Sequence, residues 1–123
     1  MTDQTTFQTV FAMLKKILQP YADKMVISND VADEFYLNTP FIMQNKKPMY
    51  FGSVKINKNY VSFHLMPVYV FPELLNELSP NLQKHMQGKS CFNFKTSDTD
   101  LFNELNALVE RGFVKYQSAG FIK

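Results

Sequence analysis

Phe7, Val10, Phe11, Leu14, Ile17, Leu18 and Tyr21 recur every three or four positions, while Gln8, Lys15, Lys16 and Gln19 fill the opposite side. A period near 3.6 predicts an amphipathic helix, ended or kinked at Pro20, whose ring cannot donate a backbone hydrogen bond. The pattern then changes. "MVIS" and "EFYLN" read as short strands around the turn-forming "NDVAD", and residues 39–48, "TPFIMQNKKP", read as a proline-containing loop.

Met49 to Val70 carries the clearest local signal: two runs, "MYFGSVKI" and "YVSFHLMPVYV", joined around "NKN". Strand side chains alternate between faces, so matching the apolar faces places Ile56 opposite Val61. A one-residue slip would turn Val54 and Ile56 away from Val61, Phe63 and Leu65. This register pairs Val54 with Phe63, Ser53 with His64 and Lys55 with Ser62. It predicts a two-residue loop at Lys58-Asn59, or a four-residue loop of the same parity.

"PELLNELSP" and "SPNLQKHMQG" each place proline at a first helical position, the second with Ser79 as cap and Gly88 as terminator. "SCFNFK" alternates like a strand. "SDTDLFNELNALVERG" opens with a Ser97 and Asp100 capping pattern and lines Leu101, Leu105, Leu108 and Val109 along one side. Gly112 either ends that helix or sits inside it, and "FVKYQSAGFIK" fits more than one state. The order α-β-β-β-β-α-α-β-α predicts an α+β two-layer sandwich, with the terminal helices on one face of a mainly antiparallel sheet.

The second face of that sheet is where chemistry would sit. If Tyr50, Val54, Ile56, Val61, Phe63 and Leu65 face the helices, the other side shows Met49, Phe51, Ser53, Lys55, Tyr60, Ser62, His64 and Met66. "SCFNFK" would turn Phe92 and Phe94 inward and Cys91, Asn93 and Lys95 outward. If that strand neighbours the hairpin, the face grades from a Met and Phe end to a polar end. Apolar area supplies affinity and fixed polar groups supply orientation, so Ser53, Lys55, Tyr60, Ser62, His64, Cys91, Asn93 and Lys95 form a candidate site for a small molecule or a protein partner. Lys55 and Lys95 favour an anionic group. The competing expectation is that residues 39–48 cover Met49 and Phe51, leaving His64 an interior histidine hydrogen-bonded to Ser53. An exposed Met and Phe patch would also suit a homodimer interface.

Composition narrows the classes. A chain of 123 residues fits one domain, and 46% hydrophobic with 20% charged residues is a globular balance. "LMPVYVF", the longest apolar run, is too short to cross a bilayer. The opening residues lack a signal-peptide pattern and Cys91 is the sole cysteine, so a cytoplasmic location without an internal disulfide is expected. The net charge of +2 comes from scattered lysines and one arginine, Arg111, a poor footprint for nucleic acid. Twelve Phe and six Tyr with no Trp imply a thick core, an apolar binding surface, or both.

His64, His85 and Cys91 lack the close spacing of a zinc site. A Cys91 and His64 nucleophile pair requires their strands to be adjacent. The glycines form no phosphate-binding loop. "NDVADE" gathers Asp30, Asp33 and Glu34 without the spacing of a calcium loop. No catalytic residue and no cofactor is therefore expected.

"LNTPFIMQNKKPMYFGSVKINKNYVSFHLMPVY", "SPNLQKHMQGKSCFNFK" and "DLFNELNALVERG" together resemble the YdhG-like family of bacterial domains of unknown function. The resemblance spans nearly the whole chain. It implies a small cytoplasmic α+β domain, and because some members are described as frataxin-like iron chaperones, it implies iron delivery for iron–sulfur cluster or haem assembly as an alternative function. Frataxin-type iron binding uses a ridge of carboxylates on the first helix and following strand. Here the first helix has no acid between Asp3 and Asp23, so Asp23, Asp30, Asp33 and Glu34 are the only acids near the corresponding place.

Overall fold

The computed structural model describes residues 4–122. Helix α1 (Gln4–Leu18) buries Phe7, Val10, Phe11, Leu14, Ile17 and Leu18, the stripe given by its sequence period. The α-helix ends just before Pro20, as expected, and Pro20 sits in a 3-10 turn, Gln19–Lys24, that leads into the sheet.

Six strands follow: β1 (Val26–Val31), β2 (Glu34–Ile42), β3 (Pro48–Ile56), β4 (Val61–Leu65), β5 (Met86–Gln87) and β6 (Cys91–Phe94). They form one sheet in the order β1-β2-β3-β4-β6-β5, with every neighbour antiparallel. Between β4 and β5 lie helix α2 (Pro67–Val70), a 3-10 turn (Pro72–Leu75) and helix α3 (Pro80–Gln83). Helix α4 (Thr99–Ala119) closes the chain. The α+β architecture with helices at both ends is the one the element order predicts.

The register of β3 on β4 is the one derived from apolar matching: Ile56 with Val61, Val54 with Phe63, Ser53 with His64 and Lys55 with Ser62. Residues 57–60 connect the strands, closed by a 2.8 Å bond from the Asn57 amide to the Tyr60 carbonyl. β6 lies against β4, and Phe92 and Phe94 enter the core with Val54, Val61, Phe63 and Leu65.

Four expected element boundaries and caps change. Residues 39–48 are not a loop. β2 continues to Ile42, and only the short reversal closed by the Lys46 amide on the Met43 carbonyl (2.9 Å) separates it from β3. The second hairpin run stops at Leu65, because Met66 and Pro67 start α2 and proline's fixed φ favours the first helical turn. The expected helix through Gly88 ends early: Ser79 caps α3, accepting from the Leu82 amide at 3.2 Å, but Met86 and Gln87 pair with β6 instead. Asp98, not Ser97, caps α4, accepting from the Leu101 amide at 3.1 Å. That helix passes through Gly112 and ends at Gly120, whose φ of 90° is the left-handed conformation glycine takes without steric cost.

A bulge in β3 decides what reaches the second face. β2 advances one residue, Leu37 to Asn38, while β3 advances two, Gly52 to Tyr50, so Phe51 is the extra residue. The alternation flips there. Phe51 turns into the core, fully buried, and Tyr50 turns outward, the reverse of simple alternation. Met49 and Met66 pack against the core as well, so the expected Met and Phe end of the second face does not exist.

Candidate functional site

The sheet register lays the second face out as two rows that cross the strands. One runs Asn29, Tyr36, Ser53, His64, Cys91, Gln87, each opposite the next on the neighbouring strand. The other runs Val31, Glu34, Lys55, Ser62, Asn93. From β2 onward these rows, together with Tyr50, delivered by the bulge, and with Asn57 and Tyr60 from the hairpin loop, floor an open depression of about 590 Å³.

Of the eight residues expected to bind, seven line this depression: Ser53, Lys55, Tyr60, Ser62, His64, Cys91 and Asn93. Lys95 does not, because β6 ends at Phe94 and Lys95 lies exposed beyond it. Glu34, Tyr36, Tyr50, Asn57 and Gln87 join the lining without having been anticipated. Glu34 and Tyr36 were legible in the alternation of "EFYLN". Tyr50 depends on the bulge, and Gln87 on a two-residue strand too short to leave a periodic signal.

Hydrogen bonds fix the floor. The Tyr50 and Ser53 hydroxyls bond to each other, and the Tyr50 ring stacks on Tyr36 with centroids 4.7 Å apart. Ser53 lies across from His64 as the register requires, but its hydroxyl engages Tyr50. His64 Nε2 instead meets the Cys91 Sγ at 3.6 Å. The Cys91 thiol donates to Asn93 Oδ1 at 3.3 Å, and Asn93 Nδ2 donates to Gln87 Oε1 at 2.7 Å. Asn57 Nδ2 donates to Ser62 Oγ at 2.9 Å, and Asn29 Nδ2 donates to Glu34 Oε1 at 2.6 Å.

Burial sets the protonation of these groups. It pushes the Cys91 thiol up and the His64 imidazole down, so at neutral pH the pair is thiol and neutral imidazole. The adjacency demanded by a cysteine nucleophile is met, but the imidazolium that would make the thiol acidic is not favoured. Burial, and then the Glu34 carboxylate, raise the Tyr36 phenol. Burial also raises Tyr50, against the opposing effect of its Ser53 hydrogen bond.

The four acids named for iron do not gather. Asp23 borders a different, more apolar cavity beside Phe41 and Phe121. Asp30 points to the helix side and pairs with Lys15 at 2.8 Å. Asp33 lies exposed in the β1–β2 turn, and Glu34 faces the depression. Among the described residues no three His, Cys, Asp or Glu side chains are grouped to hold a metal ion, so this set does not fit an iron ridge.

No helix among the described residues is long and apolar enough to cross a membrane. The chain matches no protein-family model, no curated protein and no solved structure.

Proposed function

We propose that the protein is a non-enzymatic binding module that holds a small polar molecule on the second face of its sheet. One observation carries this reading: from β2 to β6 two rows of polar side chains cross the strands in register and floor an open depression of ligand size, about 590 Å³. An ordinary solvated sheet face places separate long charged side chains in water. This one holds serines, asparagines, a histidine and Tyr50 oriented by mutual hydrogen bonds, the preformed polar geometry that orients a ligand. The resemblance to YdhG-like domains agrees with a small α+β module.

Equilibrium dialysis of the purified protein against a metabolite extract, read by mass spectrometry, tests the proposal. A retained compound lost in a His64→Ala, Tyr60→Ala double variant supports it. A compound retained equally by both proteins places binding elsewhere and overturns this site. Anaerobic calorimetric titration with ferrous iron addresses the alternative of iron delivery, for which saturable heat would be required. The dispersal of Asp23, Asp30, Asp33 and Glu34 leads us to expect none.

A further inference from the structure

We propose that the ligand of this depression is a small zwitterion of the amino-acid type, its carboxylate seated on Lys55 and Ser62 and its cationic group on Glu34 and Tyr36. The inference rests on the binding reading above and names its substrate class.

Glu34 and Lys55 are the only lining residues whose ordinary charge at neutral pH is full, and they stand directly opposite each other on β2 and β3. His64 and Cys91 are held neutral by burial. The floor is thus neutral overall but dipolar, its two charged residues standing on adjacent strands whose backbones run about 5 Å apart. Among the described residues Lys55 has no ion-pair partner, and it does not close on Glu34. A ligand of single charge would satisfy one of these groups and lie beside a like charge at the other, whereas a zwitterion complements both.

The neighbours assign the two ends. Ser62 is the register partner of Lys55, and its oxygen already accepts from Asn57 Nδ2 at 2.9 Å, which leaves the hydroxyl proton to donate. An ammonium and a free hydroxyl proton side by side present donors only, as a carboxylate requires. On the other side, Glu34 spends one oxygen on Asn29 Nδ2 at 2.6 Å, and among the described residues its second oxygen has no hydrogen-bond partner. Tyr36, two residues along on the same face, adds the stacked Tyr36 and Tyr50 rings, whose faces attract cations.

The test is an NMR titration of the ¹⁵N-labelled full chain with glycine, L-alanine and γ-aminobutyrate, beside acetate, inorganic phosphate and methylammonium. Saturable shifts at Glu34, Lys55 and Ser62 are expected with at least one zwitterion. The single-charge probes should bind at least tenfold more weakly. Glu34→Gln and Lys55→Met, each checked for an intact folded spectrum, should each weaken zwitterion binding about tenfold. Acetate or phosphate binding as well as the zwitterions, and unaffected by Glu34→Gln, would reveal a plain anion site. That result ends this inference and leaves the binding module standing. Saturation by none of the three zwitterions overturns it too, whatever the dialysis screen retains.

Discussion

The hydroxyl of Tyr116, in the last helix, donates to the backbone carbonyl of Tyr50 at 3.0 Å, so the element farthest along the chain holds the bulge that turns Tyr50 toward the depression. A bulge interrupts the ladder and leaves backbone groups in need of other partners. The Tyr116 ring is fully buried and meets Phe51, Phe71 and Phe121 edge-on, so core and bulge are fixed by one side chain.

Tyr116→Phe therefore keeps the ring packing and removes only the bond. Loss of a buried hydrogen bond whose acceptor stays unpaired costs about 1–3 kcal/mol. For a chain of this size each kcal/mol lowers the melting temperature by roughly 3–5 °C. Thermal and urea unfolding should show that drop, with faster amide exchange around Tyr50. An unchanged midpoint would mean that water satisfies the carbonyl and that the helix does not secure the bulge.

Gly112 gives a prediction opposite in sign to helix propensity. It lies inside α4, where alanine is favoured over glycine by about 1 kcal/mol. A Cβ there, however, would lie 2.8 Å from the Pro67 Cβ at the start of α2, and a proline ring has little freedom to withdraw. Overpacking of this kind costs about 1–3 kcal/mol. Gly112→Ala should lower the unfolding midpoint. A stabilised variant would show that α2 and α4 separate readily.

Much of the layout was legible because its causes are local. Apolar matching gave the β3–β4 register, and alternation in "SCFNFK" placed Phe92 and Phe94 inward and Cys91 and Asn93 outward. The errors arise where a non-local contact overrides the pattern. Nothing in "PMYFG" announces a bulge. Phe51 turns inward among Tyr21, Phe113 and Tyr116, residues far away in sequence. Likewise "TPFIM" reads as loop for its proline, yet Thr39 is buried and donates to the Met49 carbonyl at 2.8 Å, which draws β2 on toward Ile42. Lys95 was misplaced for a simpler reason: alternation indicates a face, not where a strand ends.

His64 should leave a mark on stability against pH. Burial lowers its pKa in the folded state below the ordinary imidazole value of 6.5, so the unfolded chain binds the proton more readily. Stability then rises with pH wherever the unfolded state holds more protons. Chemical denaturation should show a loss as pH falls from 6.5 toward the lower folded pKa. Above the usual carboxylate range, His64→Gln should flatten that part of the profile. A slope of the same size in the variant would assign the effect to another group.

Cys91 and His64 yield the sharpest test of whether the site does covalent chemistry. Their 3.6 Å separation suits either a thiolate and imidazolium pair or two neutral groups, and the two states react differently. An ion pair keeps the sulfur nucleophilic well below the ordinary thiol pKa, whereas a neutral thiol reacts only as the solution becomes alkaline. Burial raises the thiol and lowers the imidazole, so the folded protein should be alkylated by iodoacetamide along a single rising curve, its midpoint above that of a free thiol. His64→Gln should leave that midpoint nearly unchanged, because a neutral imidazole exerts little pull on the proton. A reactive plateau extending below pH 7, abolished by the same substitution, would establish an ion pair and replace the binding-module reading with a cysteine enzyme.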